Sequence, residues 1–411
     1  MRSARFWATF LILLVLFIMS ISRLPKSAAQ SGEPAKLFVQ VDPAKADLTP
    51  AQEEALARIK GSKTAAETQL VRVRTNLLVP SPLRVKVNIG GGKDFQVMTT
   101  ETKPLADSLT WIGKPVSPSD IAVLVVRNGN VTGTVRSGNE LYSVRPLGGG
   151  LHALVREDQT KFPPEHPPNF EEREKTTPPN LPNVNTSDLS PAPKVLRVLV
   201  AYTPRVAAAR PDILPFIDVA INETNTGYER SGVNLRAELA HAYQVDYQES
   251  DSQDQDLEKF RGANDSVMDE VHELRNTYKA DVCVLLIDND SYCGTAAAIM
   301  ADESTAFAVV HYACAVGYYS FGHEIGHLQG ARHNQEADPT LMPFSYGHGY
   351  QNSIAQFRTI MSYNCPSGCP RILNWANPSV NYNGVPTGSE PYANDARVLN
   401  ETAPIVTAFR N

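Results

Sequence analysis

The stretch Ser320-Phe321-Gly322-His323-Glu324-Ile325-Gly326-His327-Leu328-Gln329-Gly330-Ala331-Arg332-His333 decides how the rest of this 411-residue chain is read. His323 and His327 stand four residues apart, so on a helix both imidazoles project from one face and can meet a single cation. Gly330 stands where that helix must end and the backbone reverse, a position suited to a residue that tolerates positive φ. His333 then swings back towards the same ion. Three neutral imidazoles leave one position of a tetrahedral zinc for water, which separates a catalytic site from a closed structural one. The metal would lower the pKa of that water from about 16 towards about 7. Glu324, beside the first ligand, is placed to take the proton as general base and pass it to a leaving amine. The expected chemistry is hydrolysis of protein or peptide substrates with one catalytic Zn2+. A bare H-E-x-x-H pattern competes with an ordinary helix-face histidine pair; Gly330 and His333 at their offsets are what make the reading specific.

Working outward, the composition is that of a folded globular protein, with 42% hydrophobic and 20% charged residues. A formal charge of -6 without a long basic run argues against nucleic acid or an anionic membrane as the main partner. Arg2 and Arg5 precede an apolar run from Phe6 to Met19 and then Ser27-Ala28-Ala29, the layout of a secretory signal peptide over residues 1–29. An uncleaved anchor is the alternative, but the run falls short of the roughly 18 to 20 apolar residues that a span needs. Export, to the extracellular space or the periplasm, is therefore expected, with no stable membrane association after cleavage. All five cysteines lie in the C-terminal half, and an exported chain meets conditions in which disulfides persist. Cys283 sits in an apolar run and reads as a buried free thiol. Local spacing suggests Cys293 with Cys314 and Cys365 with Cys369, although connectivity does not follow from sequence.

Residues 30–161 alternate short apolar stretches, such as Leu83–Val87, Ile121–Val126 and Tyr142–Val144, with Gly and Asn turns, and read as a β-rich module. Residues 162–193 are crowded with proline and read as an extended, protease-accessible linker. Beyond it, strands are expected over Val195–Tyr202, Leu235–Val245, Asp281–Ile287 and Thr305–His311, with helices over Ile213–Tyr228 and Val267–Tyr278. That order implies an α/β layer structure over residues 194–411. The acidic stretch Glu249–Glu258 matches no EF-hand spacing and reads as a solvated polar loop.

The segment His323–His333 matches the H-E-x-x-H-x-x-G-x-x-H signature of the metzincins, and Thr359-Ile360-Met361-Ser362-Tyr363 resembles the Met-turn that follows it. Val198–Pro204, Asn222–Asn225 and Cys365–Pro370 resemble the bacterial reprolysin-like enzymes, the peptidyl-Asp metalloendopeptidases in particular. The resemblance implies a mixed twisted sheet with long helices, an active-site helix, a small C-terminal subdomain and a final helix, for which Ala396–Phe409 is the candidate. It places Met361 beneath the metal and suggests Tyr363 as a further ligand or transition-state donor, with an amphipathic pocket wall as the alternative. It also implies cleavage on the amino side of acidic residues. Such a pocket needs a cation; the candidates are Arg371 first, then Arg358 and Arg332, each competing with an ordinary arginine paired to a carboxylate. His348 and His311 read as structural.

The β-rich module reads as a propeptide, with a permanent binding domain as the alternative. No cysteine precedes Cys283, so latency through a propeptide cysteine is excluded; His152, Glu157 and Asp158 are candidate replacement ligands, beside simple occlusion. A thermolysin-like site with a glutamate as third ligand and a catalytically inactive metzincin-fold adhesion module are the rival readings. The first conflicts with Gly330 and His333, and the second with an intact Glu324 and histidine set. No motif speaks for an oligomer, and a monomer is expected.

Overall fold

The computed structural model describes residues 33–79, 84–105, 107–115, 117–167 and 192–410. The expected signal segment 1–29 lies outside these. Among the described residues, no helix is long and apolar enough to cross a membrane.

The N-terminal half is a ten-stranded sheet built largely from consecutive antiparallel hairpins between Phe95–Leu105 and Leu151–Glu157. Alternation along its central strand Ile121–Arg127 explains why it does not stand alone. Ala122 and Leu124 face the module's own core with Trp111, Val135 and Leu154, whereas Ile121, Val123 and Val125 face the second half of the chain. There they pack with Phe216, Ile217 and Val219 of the helix Ile213–Arg230. An eleven-residue helix, Pro50–Lys60, interrupts the strands and starts at a capping box made by Thr49 and Gln52.

The second half carries a five-stranded mixed sheet. Its order is Leu235–Gln244, Lys194–Tyr202, Val282–Ile287, Phe307–His311 and Gly294–Ala296, with only the last strand antiparallel to its neighbour. Because parallel strands are covered on both faces, the central run Val282–Ile287 is apolar throughout and wholly buried. One face meets Ile213–Arg230, the helix Ser320–Leu328 and the final helix Asp395–Val406. The opposite face meets Gln253–Arg261 and Glu270–Thr277. The expected strands and helices are all present, with ends moved by one to three residues.

Two expectations are corrected. Gln253–Arg261 is a helix, where a solvated loop was expected; its short sequence hides only Leu257 and Phe260 as an apolar face. Oδ1 of its buried Asp256 accepts from the Tyr247 hydroxyl at 2.7 Å and the Ser250 amide at 2.8 Å, so polar composition did not mean exposure. The proline-rich stretch is not extended linker from its first residue: Phe162 to Pro167 lies against the second half with His166 buried. Residues 168–191 of that expected linker lie outside the described residues. The disulfides are Cys293–Cys314 and Cys365–Cys369, and Cys283 is a buried free thiol.

Candidate metal centre

The helix Ser320–Leu328 is buried along its whole length, which requires small residues where its neighbours come close. A side chain at Gly326 would place Cβ 2.6 Å from the Trp375 ring and 2.9 Å from the Met361 sulfur, so the absent side chain is what admits both beneath the helix. Gly322 meets Thr224 of Ile213–Arg230 in the same way. After Leu328 the chain turns at Gly330, whose φ is +101° and whose missing Cβ would lie 2.8 Å from Phe344. This reversal returns His333 to the histidine face of the helix.

His323, His327 and His333 are brought together, as expected, and a fourth imidazole joins them. His166 closes the group: one ligating atom from each of the four lies within 4.8 Å of every other, and all four residues are buried. The Nε2 atom of His166 is 2.8 Å from that of His323 and 3.3 Å from that of His327. The separations His323–His327, His327–His333 and His323–His333 are 3.1, 3.2 and 3.3 Å. Nitrogens at about 2.0–2.1 Å from a common tetrahedral centre would stand about 3.3 Å apart, so the spacing fits a small tetrahedral cation.

Protonation agrees with that fit. The Nδ1–H of His323 donates to the Ile360 carbonyl and that of His327 to the Ala331 carbonyl, each at 2.8 Å, which turns the Nε2 lone pairs inward. Burial, then the proximity of the other imidazoles, holds His166, His323 and His327 well below the ordinary histidine range, so each is neutral. Converging neutral lone pairs have no proton to share and are satisfied by a cation. His348 stays outside the cluster and donates from Nδ1 to the His333 carbonyl at 2.8 Å; His311 is also outside.

Glu324 is buried, with Oε1 3.7 Å from His166 Nε2. Its carboxylate occupies the space left by Gly294 on the edge strand, where a Cβ would come within 2.6 Å of Oε1. Met361 is fully buried directly below the helix. Tyr363 lies over His333, ring centroids 4.2 Å apart, and 6.4 Å from the ring of His166.

Beside the cluster is a cationic pocket. A parallel bridge between Arg358 and Arg371 sets the two side by side, and both guanidinium groups lie near the ring of Tyr318, at 5.3 and 4.7 Å. The carboxylate between them is Glu165, 2.7 Å from Arg371 Nη2 and 3.1 Å from Arg358 Nη1. Burial pushes Glu165 up, but the two guanidinium groups outweigh it and hold the carboxyl below its ordinary value. Arg332 is not part of this pocket. It is fully buried elsewhere, paired with Asp338 and donating to the Met342 carbonyl.

The candidate propeptide ligands are not at the centre. His152 accepts from the Val131 amide, Glu157 takes the Ser143 hydroxyl and Arg145, and Asp158 caps the turn at Thr160. All three sit inside or at the end of the β-module, whose hydrogen bonding consumes them. His166 and Glu165 were missed because the composition around them signals a linker; the symmetric run Pro163-Pro164-Glu165-His166-Pro167-Pro168 was the available clue.

A histidine cluster on a helix and its following turn, with a buried glutamate beside it, defines a metallopeptidase, and residues 192–375 match the model of metallo-peptidase family M12, Reprolysin_5. Over nearly the whole chain the sequence is similar to a curated protein named peptidyl-Asp metalloendopeptidase from Xanthomonas campestris pv. campestris. The two are 39% identical over 407 residues, covering 93% of this chain and 95% of that one. A protein of the same name from Stenotrophomonas maltophilia is 39% identical over 379 residues, 87% of this chain and 90% of its own. The chain belongs to the family of peptidyl-Asp metalloendopeptidases, and it is a metalloendopeptidase.

Proposed function

We propose that this chain is an exported zinc endopeptidase that cuts on the amino side of acidic residues, with His323, His327 and His333 as the catalytic ligands and Glu324 as general base. The observation that carries the reading is the joining of three buried imidazoles, a buried carboxylate and a two-arginine pocket in one place. Zinc, when bound, supplies acidification of water and polarisation of the scissile carbonyl. Glu324 accepts the water proton and returns it to the leaving amine, and its seat against Gly294 keeps the carboxylate close to the imidazoles. Arg371 and Arg358 receive the acidic side chain; that they already hold a carboxylate supports the assignment. Tyr363 is assigned the steadying of the developing oxyanion, a role supported by its ring lying over His333. Met361 gives the histidine helix a soft, close-packed floor. Residues 1–29 act as export signal, residues 30–161 as propeptide, and residues 194–411 as the peptidase unit.

The test is a digest of a mixed peptide library by the chain freed of residues before Lys194, wild type beside Glu324→Ala, with zinc measured on both. Cuts clustered before Asp and Glu, lost in a mutant that retains about one zinc, are the expected result. Cuts made without regard to acidic residues would remove the specificity; a zinc-free active enzyme would remove the mechanism.

A further inference from the structure

We infer that Glu165 and His166 form a reverse-threaded internal inhibitor: His166 is the fourth ligand of the resting metal, and Glu165 fills the pocket meant for the substrate's acidic side chain. The inference rests on the zinc reading above and adds a ligand, an occupant and a chain direction to it.

Three contacts independent of one another carry it. His166 brings its Nε2 to the three other imidazoles at ligand spacing, completing four nitrogens where an open site has three. Glu165, its side chain 10% exposed, is clamped by both pocket arginines. Phe162 stacks on Tyr318, the ring that also backs both arginines, with centroids 4.4 Å apart. Proline on both sides of the Glu165-His166 pair restricts the unbound segment to extended backbone, so little further entropy is lost when it docks.

The direction of the chain explains why such a segment is held and not cut. Cleavage on the amino side of an acidic residue requires the carbonyl preceding that residue to lie at the metal. For Glu165 that is the Pro164 carbonyl, which instead accepts from the Cys293 amide at 2.8 Å. The Glu165 carbonyl accepts from the next amide, that of Gly294, at 3.2 Å, so residue numbers rise together over these two contacts and the segment runs in the same direction as the chain through Cys293 and Gly294. The group delivered to the metal site is thus the side chain after the acid. The acid pocket is satisfied while the Pro164–Glu165 bond is held on the edge strand.

The test uses the intact full-length chain loaded with cobalt(II), whose visible bands report ligand exchange, with azide as probe and a chelator to time metal loss. Wild type should bind about one cobalt and ignore azide, because no position is open. His166→Ala should shift its bands with azide and lose metal to the chelator about tenfold faster or more, since even outer-sphere partners of a ligand are worth that much. Glu165→Gln should respond partially to azide, as its docking is weakened while the ligand remains. Wild-type bands that move with azide as those of His166→Ala do would overturn the inference without touching the zinc reading, and need no variant to fold. Glu165→Gln matching wild type in both readouts while His166→Ala opens would overturn the pocket half. A wild-type chain that binds no stoichiometric metal would remove the zinc reading itself, and the inference with it.

Discussion

Replacing Arg371 by methionine should turn an acid-selective peptidase into an indifferent one. The guanidinium is fully buried and lies 2.7 Å from Oε1 of the carboxylate in the pocket, with Arg358 3.1 Å from the same oxygen. At an effective dielectric near 20, charges at these distances attract by about 6 and about 5 kcal/mol before desolvation is subtracted. Desolvating the incoming carboxylate takes back several kcal/mol. Losing one of two guanidinium groups therefore should cost about 2–3 kcal/mol for an acidic substrate, or roughly 30- to 150-fold in kcat/KM. Methionine fills similar length without charge, so packing around Tyr318 is largely kept. The assay is kcat/KM for two peptides that differ only in Asp or Asn after the scissile bond. Because the amide is isosteric, the ratio isolates charge recognition from any general loss of activity. A ratio unchanged within about threefold would refute the assignment of the pocket.

Glu324→Gln should lower turnover by about 10²- to 10⁴-fold with metal content unchanged, measured by peptide hydrolysis and elemental analysis on one sample; loss of metal instead would make Glu324 structural. Gly326→Ala drives a methyl group into Trp375 and Met361, both fully buried, and should destabilise the fold by about 1–3 kcal/mol in denaturant unfolding. Glu223, on the helix that meets the β-module, is pushed up to about 7 by burial, against the Thr134 hydroxyl and Gly317 amide that favour its ionised form. A carboxyl raised on folding contributes fully below its unfolded value and is penalised as pH rises towards the folded one. Wild type should therefore lose stability relative to Glu223→Gln between about pH 4.5 and 7 and run parallel to it above, with equal pH profiles counting against the shift.

The joining of His323, His327 and His333 was legible because its geometry is local. Helical spacing fixes His323 against His327, and the one conformation that returns His333 demands a glycine at Gly330. The α/β order was legible for a related reason: strands buried on both faces, such as Val282–Ile287, write an unbroken apolar run. Gln253–Arg261 was not, since a helix that buries two apolar side chains and neutralises its polar ones by hydrogen bonding leaves no periodic signature. The inhibitor segment was the least legible. Glu165 and His166 take their meaning from partners far along the chain, such as His323, 157 residues from His166, and Arg358, 193 residues from Glu165, and the flanking prolines are the one local clue to them. Arg332 shows the reverse error: it was a candidate for the substrate pocket, but the chain folds it onto Asp338.

The attachment of residues 162–167 to the strand Leu151–Glu157 has a kinetic consequence. While the backbone is continuous, the inhibitor meets its cleft at an effective concentration set by the covalent link through residues 168–193, and no dilution can dislodge it. A cut anywhere from 168 to 193 leaves every contact of the segment in place, and with it the whole packing of Ile121, Val123 and Val125 on the helix Ile213–Arg230. What changes is reaction order: rebinding becomes bimolecular, and inhibition comes to depend on how far the released module can diffuse. Nicking would then arm the enzyme, and dilution into a larger volume would fire it.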